Sequence, residues 1–241
     1  MYNLYLRVFK SEGERLIIKT GPLAGKTWVR FMRTYSDEYF DGSYEPPIQQ
    51  AMAKYLGPGM VFYDVGANAG FFSLLGAGLV GPSGAVVAFE PHPATAAKCK
   101  AQMDANNLKN VTVVVAAVSD RIGMDKFSDG AYSVMTSLED AATAPKTITI
   151  ATTTLDHEIT KHPLPDVLKI DIEGSEIDAL RSAKNLVLKK KPVFLVEVHS
   201  QELAIQYDDM MTKYGYLTFS TGGEPISVAQ SGERFVISVP A

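Results

Sequence analysis

Five runs of the chain, Val61 to Val65, Ala85 to Phe89, Val111 to Val118, Val167 to Ile172 and Val193 to Val198, are apolar almost without interruption. A strand with one wet face alternates apolar and polar residues. A strand apolar throughout must be covered on both faces, as in parallel sheets whose crossover helices pack above and below. Helical patterns stand between most of these runs, over Gly70 to Leu79, Ala94 to Asn106 and Ser175 to Leu188, with Glu202 to Lys213 after the last. Tyr216 to Ser220 and Phe235 to Val239 read as two further strands, their short Gly-bearing connection predicting an antiparallel pair at the sheet edge. The expectation is an α/β fold of Rossmann-like type, with a mostly parallel seven-stranded sheet and helices on both faces.

Two stretches depart from this rhythm. Phe127 to Thr147 is rich in Gly, Ser, Asp and Thr and reads as an insertion with a loop, followed by a β-branched strand, Thr147 to Leu155, outside the main sheet. Near the N-terminus, Tyr5 to Phe9 and Arg15 to Ile18 resemble short strands around a turn at Glu12-Gly13, and Trp28 to Met32 is another apolar run. Ile48 to Leu56 has helical spacing and is closed by Gly57-Pro58-Gly59. The expected division is a β-containing extension or cap over residues 1–45 and a main domain over 46–241.

The balance of charge narrows the partners. A formal net charge of −4 and a pI near 5.6 give no basic field of the kind that binds phosphates, so a nucleic-acid partner is not expected. Lys189-Lys190-Lys191 closes a helical pattern before Pro192 and reads as a solvated helix end. Cys99 is the single cysteine, which excludes an intrachain disulfide and disfavours structural zinc. Met1 to Lys19 carries Arg7, Lys10, Glu12, Glu14 and Arg15 and so lacks a signal-peptide core, and no run approaches eighteen uncharged apolar residues. No membrane partner and a cytoplasmic location are the expectations, and a homo-oligomer is compatible with all of this.

The segment Phe62-Tyr63-Asp64-Val65-Gly66-Ala67-Asn68-Ala69-Gly70 runs from a buried strand through a glycine-bearing turn into a helix beginning near Phe71. Such turns lie at the carboxyl ends of sheet strands, where nucleotide-like ligands bind. A pyrophosphate site has glycine at the second fingerprint position; here Asn68 stands there and would crowd a diphosphate. Asp64 adds a negative charge where phosphates would sit and suits a cationic aminoacyl group. These residues favour S-adenosylmethionine over NAD. Glu90, in Phe89-Glu90-Pro91, ends the second strand and lies 20 residues after Gly70, placed to accept hydrogen bonds from ribose hydroxyls. Ala117 and Ser119, with Asp120, end the third strand and suit the wall and edge of an adenine pocket.

In combination these segments resemble the FkbM family of methyltransferases. The likeness rests on Tyr44-Glu45, on Asp64 to Gly70, on Ala88 to Pro93, on Leu168-Lys-Ile-Asp-Ile-Glu-Gly-Ser-Glu176 and on Phe194 to His199, in that order, across about residues 40 to 220. It implies a class I methyltransferase fold, S-adenosylmethionine as methyl donor, and transfer usually to a hydroxyl oxygen. The acceptors it implies are sugars, polyketides and other small molecules or glycans. By position, Asp64, Gly66, Asn68, Gly70 and Glu90 match the family's cofactor motifs.

An alcohol acceptor must lose a proton, which asks for a base or a metal ion beside it. The ends of the fourth and fifth main strands offer Asp171, Glu173, Glu197 and His199. His199 is the natural base, since imidazole titrates near neutral pH, although it could equally sit under a loop or at the start of the next helix. Glu173 could serve as base or acceptor ligand, or simply complement a helix N-terminus together with Glu176. Glu197 shares a face with His199, two residues away. Asp171 is better suited to orienting the cofactor's methionine end. No metal site is assigned, but the same four residues can also gather around Mg²⁺. His92, His157 and His162, in loops or next to proline, are read as facing solvent, although His92, beside Glu90, could border the ribose. Other readings are methylation at nitrogen or carbon, an NAD-dependent oxidoreductase, and a non-catalytic cofactor-binding module.

Overall fold

At the centre of the computed structural model, which describes residues 13–31, 37–128 and 147–241, β3 (Val61–Val65) runs parallel to β9 (Val167–Ile170), with Asp64 opposite Lys169. Outward from β3 lie β4 (Ala85–Phe89) and β5 (Val111–Val114); outward from β9 lies β10 (Val193–Glu197). Every pairing from β5 across to β10 is parallel. Beyond β10, β12 (Phe235–Pro240) pairs antiparallel with it, and β11 (Tyr216–Ser220) pairs antiparallel with β12 at the edge. The order of the seven-stranded sheet is thus β11-β12-β10-β9-β3-β4-β5. The chain builds outward from β3 to β5 and then returns to β9, so the order reverses between β3 and β9 and opens a crevice at their carboxyl ends.

Alternation along each strand sends side chains to two cores. Phe62, Val86, Ala88 and Leu195 join the face covered by α2 (Pro46–Tyr55), α3 (Phe71–Val80) and α4 (Pro93–Ala105). Tyr63, Val65, Phe89, Leu168, Ile170, Phe194 and Val196 join the face covered by α6 (Glu176–Arg181), α7 (Lys184–Lys189) and α8 (Gln201–Tyr214). No helix among the described residues is long and apolar enough to cross a membrane.

The extension packs into the first core. β1 (Arg15–Ile17) pairs antiparallel with β2 (Thr27–Val29); the expected strand Tyr5 to Phe9 lies outside the described residues. Two side-chain amides, one in α4 and one at its C-cap, serve as a substitute strand for β2. Gln102 Oε1 accepts from Val29 N at 2.7 Å and its Nε2 donates to Val29 O at 2.8 Å. Asn106 does the same for Thr27, at 2.9 and 2.7 Å. Trp28 is fully buried against Tyr39 of α1 (Glu38–Asp41) and Phe71.

Three expectations need correction. The third strand ends at Val114; Ala117–Val118 forms a separate β6, paired with β8 (Thr147–Thr153) in a second sheet that β7 (Gly123–Ser128) completes. As an edge strand, β5 is only partly buried, and Val115 is 48% exposed. A strand not expected from the sequence, β7, runs into the start of the expected insertion at Phe127, its Gly, Asp and Lys residues hiding its β character; residues 129–146 lie outside the described residues. The single helix expected over Ser175 to Leu188 is two helices. Ser182 interrupts it, its hydroxyl donating to Ala179 O at 2.7 Å and accepting from Leu155 N, at the start of α5 (Leu155–Glu158), at 2.9 Å.

Candidate active site

The turn from β3 into α3 needs left-handed backbone at Gly66 (φ 87°), Asn68 (φ 49°) and Gly70 (φ 91°). A Cβ at Gly66 would stand 1.8 Å from the Asp171 carbonyl oxygen, and one at Gly70 would stand 2.7 Å from Cys99 Sγ. Glycine at these two positions lets the loop press against β9 and α4. The loop's N–H groups turn back into the protein: Gly66 N and Ala67 N donate to Phe89 O, Gly70 N donates to Ala67 O, and Asn68 N donates to Glu90 Oε2 at 3.0 Å. A diphosphate cradle presents such donors to its ligand, whereas here they are already engaged.

Glu90 is fully buried, and its other oxygen accepts from His92 N at 2.9 Å. Burial pushes its carboxyl up to about 7, with the two N–H donors pulling the other way. Pro91 is buried beside it. Asp64 is also fully buried; its Oδ2 accepts from Ser73 Oγ at 2.6 Å, and burial raises its pKa. Its other oxygen, Oδ1, is buried without a hydrogen-bond partner.

Beside Asp64 stands a residue that the sequence reading passed over. Lys169 is 1% exposed, its Nζ donating to Asp171 Oδ2 at 2.8 Å and lying 4.9 Å from the centre of the Phe72 ring. Burial works against its charge, but Asp171 and Asp64 outweigh that and hold the ammonium above its ordinary pKa. Burial likewise opposes the charge of Asp171, and Lys169 overcomes it and lowers the carboxyl. The signal was available: a lysine within a strand covered on both faces requires carboxylates around it.

At the ends of β9 and β10 the four residues singled out for the chemistry converge. His199 Nε2 lies 3.4 Å from Glu173 Oε2, 3.7 Å from Asp171 Oδ1 and 3.8 Å from Glu197 Oε1. Its Nδ1 is 2.7 Å from Oε1 of Glu176, a fully buried carboxylate. Glu176 is therefore more than the helix-end charge expected of it, because it fixes the imidazole ring. Glu173 is in the left-handed region at φ 54° and its side chain is 79% exposed. Burial raises the Glu197 carboxyl, and the charge of Asp171 adds to this. Asp171, Glu173 and His199 each offer one ligand atom within 4.8 Å of the others.

Ala117 and Ser119 belong to the smaller sheet's end of the chain: Ala117 pairs with Thr152, Ser119 N donates to Thr153 O at 2.8 Å, and Ser119 Oγ donates to Asp120 at 3.4 Å. The other histidines are half-buried rather than facing solvent. His92 caps α4, its Nδ1 accepting from Thr95 N at 3.4 Å; His157 lies within α5; and His162 lies 3.4 Å from the buried Glu158.

A parallel sheet of this order, with a glycine turn after β3, an acidic residue ending β4 and its ligand crevice at the β3–β9 reversal, defines a class I methyltransferase fold. Two solved structures share the fold. An S-adenosylmethionine-dependent O-methyltransferase from Thermotoga maritima aligns with a TM-score of 0.52 at 15% identity, covering 99% of this chain and 81% of that one. Precorrin-6y C5,15-methyltransferase from Geobacter metallireducens aligns with a TM-score of 0.50 at 13% identity, covering 80% and 86%. No curated protein sequence matches the chain. The methyltransferase FkbM domain matches residues 64–218, and the chain belongs to that family. It is an S-adenosylmethionine-dependent methyltransferase, and the oxidoreductase alternative falls away.

Proposed function

We propose that the enzyme methylates a hydroxyl oxygen on a small molecule or glycan, with His199 as general base. The observation that carries this reading is the orientation of His199, whose Nδ1 is committed to the buried Glu176 while Nε2 lies among Asp171, Glu173 and Glu197. With Nδ1–H donated to Glu176, Nε2 is the proton acceptor, and the surrounding carboxylates stabilise the imidazolium that forms. S-adenosylmethionine, when bound, supplies an activated methyl group for in-line displacement. In this reading the turn from Gly66 to Phe71 supports the nucleoside, and Asp64 and Asp171 lie toward its aminoacyl end. Glu90 accepts from the ribose hydroxyls, while Pro91, Ala117 and Ser119 border the adenine. A cytoplasmic setting goes with a single, buried, free cysteine.

The role given to Glu90 has a pH signature. A ribose hydroxyl donates to the ionised carboxylate, so binding of S-adenosylhomocysteine should strengthen as pH rises through about 7. Calorimetry at about pH 6 and about pH 8 should differ by roughly tenfold, the change in the ionised fraction, and Glu90→Gln should bind weakly at both. Stability has the opposite sign. The carboxyl is raised above its unfolded value, so its contribution is present below about 4.5 and is lost as pH rises toward 7. A pH-independent dissociation constant in the native protein would remove Glu90 from the ribose.

A second reading shares the same cluster. Because Asp171, Glu173 and His199 offer ligand atoms so close together, and oxygen-rich sets suit Mg²⁺, a divalent ion could hold the acceptor oxygen in place of a base. Incubation with methyl-labelled donor and an extract of small metabolites, read by mass spectrometry, should show label on oxygen rather than on nitrogen or carbon. On that product, His199→Ala should lower turnover at least tenfold while the dissociation constant for S-adenosylhomocysteine changes less than twofold. If His199 is the base, prior chelation has no effect; a loss restored by Mg²⁺ favours the metal. Unchanged turnover in the variant excludes both.

A further inference from the structure

Glu45 precedes the family-matched region, yet its carboxylate is coupled to Lys169 and Asp171 at the ends of the central strands. Its backbone is left-handed, at φ 44° and ψ 64°, immediately before Pro46 and Pro47 open α2. A residue other than glycine is uncommon in that conformation, and such strain gathers at ligand sites. The surroundings here are specific. Gln49 Nε2 donates to Gly42 O at 3.0 Å and to Tyr44 O at 2.5 Å, fastening the turn. The Tyr44 ring stacks on Tyr39, centroids 4.2 Å apart, and also meets Phe71 and Phe72, the first two residues of the helix after the cofactor turn. Phe72 in turn lies beneath the Lys169 ammonium.

So placed, Glu45 joins Asp64 and Asp171 in the field of Lys169, which leaves three carboxylates around one buried cation. Its Oε2 is buried and has no hydrogen-bond partner, as is Oδ1 of Asp64. Unfilled acceptor oxygens in a region of excess negative charge are completed by a cationic donor. Resting on the cofactor reading above, we infer that Glu45 receives the α-ammonium of the aminoacyl end of S-adenosylmethionine. The segment before the family domain then forms one wall of the cofactor pocket, and the enzyme selects for a nucleoside that carries this charged tail.

The test compares two ligands that share the thioadenosine and differ in the tail. S-adenosylhomocysteine carries the ammonium, whereas 5′-methylthioadenosine lacks the aminoacyl group. Calorimetry on the full chain should show Glu45→Gln weakening S-adenosylhomocysteine at least tenfold and leaving 5′-methylthioadenosine within twofold. Glu45→Asp, which keeps the charge on a shorter arm, should fall between them, and melting curves should confirm that each variant is folded. An equal loss for both ligands would make Glu45 a structural element of the turn, and no loss for either would place the ammonium elsewhere; each result overturns the inference. If the native protein bound neither ligand, the cofactor reading itself would fall, an outcome distinct from both.

Discussion

Lys169→Met is expected to lower the free energy of unfolding by about 3–5 kcal/mol in a denaturant titration, the usual consequence of removing one member of a buried ion pair. The methionine fills nearly the same space, so lost packing contributes little. What remains is the fully buried Asp64, with Asp171 half-covered beside it, and Asp64 then has no cation to offset its desolvation. The variant should therefore lose stability with rising pH more steeply than the native protein does. Burial is the largest influence on both carboxyls. Without Lys169 it is opposed at Asp171 only by the weaker pull of His199 and Arg234 and at Asp64 only by Ser73, so the carboxyls move above their unfolded values. Stability is then present at low pH and lost as pH rises through those raised values. The deficit should be smaller at about pH 5 than at about pH 8. A loss below about 1 kcal/mol, equal at both, would mean that the ammonium does not hold this cluster together.

Gly66→Ala is expected to be at least as damaging, through sterics rather than charge. The added Cβ would meet the Asp171 carbonyl oxygen at 1.8 Å, its carbon at 2.9 Å and Ile172 Cγ2 at 3.1 Å. Two of those atoms are backbone of a buried central segment and cannot swing aside. Left-handed strain at φ 87° adds to the overlap. Overpacking and strain each cost about 1–3 kcal/mol, so a loss of about 3 kcal/mol or more is expected. Because relief requires the turn and the end of β9 to separate, binding of S-adenosylhomocysteine should weaken on the order of a hundredfold. Gly78→Ala supplies the contrast. It lies in α3 with open space around it, and alanine there should raise stability by up to about 1 kcal/mol. A Gly66→Ala protein that melted and bound like the native one would show that the close approach of turn and β9 is dispensable.

The main sheet was legible because continuous apolar strands have one economical arrangement, and the turn after Asp64 was legible because glycines at 66 and 70 have few other reasons to stand there. Less legible was whatever depended on edges. Val111 to Val118 has the composition of a buried strand, yet β5 is the last of its sheet, and the chain leaves it after Val114 to pair elsewhere. Nothing local marks that exit. The helix break at Ser182 was hidden because serine is tolerated in helices, and only the distant Leu155 N–H makes its hydroxyl a breaker.

The candidate site divides in the same way. His199, Glu197, Glu173 and Asp171 could be gathered from strand ends alone, since parallel strands deliver their termini to one side. The partners that set their charge and orientation could not be gathered so. Glu176 looked like a helix-end carboxylate and turns inward to His199. Lys169 was hidden inside an apolar run, and its significance depends on Asp64, a hundred residues earlier, lying directly opposite in register.

The amides of Gln102 and Asn106 carry a consequence for how the chain assembles. A two-stranded ribbon is marginal in water by itself, and its outer edge is an invitation to stray pairing. Here that edge is closed by side chains that reach Thr27 and Val29 from the docked α4 and its C-cap. The ribbon's closed edge therefore depends on a helix some seventy residues downstream, and a change that undocks α4 would reopen that edge to stray pairing.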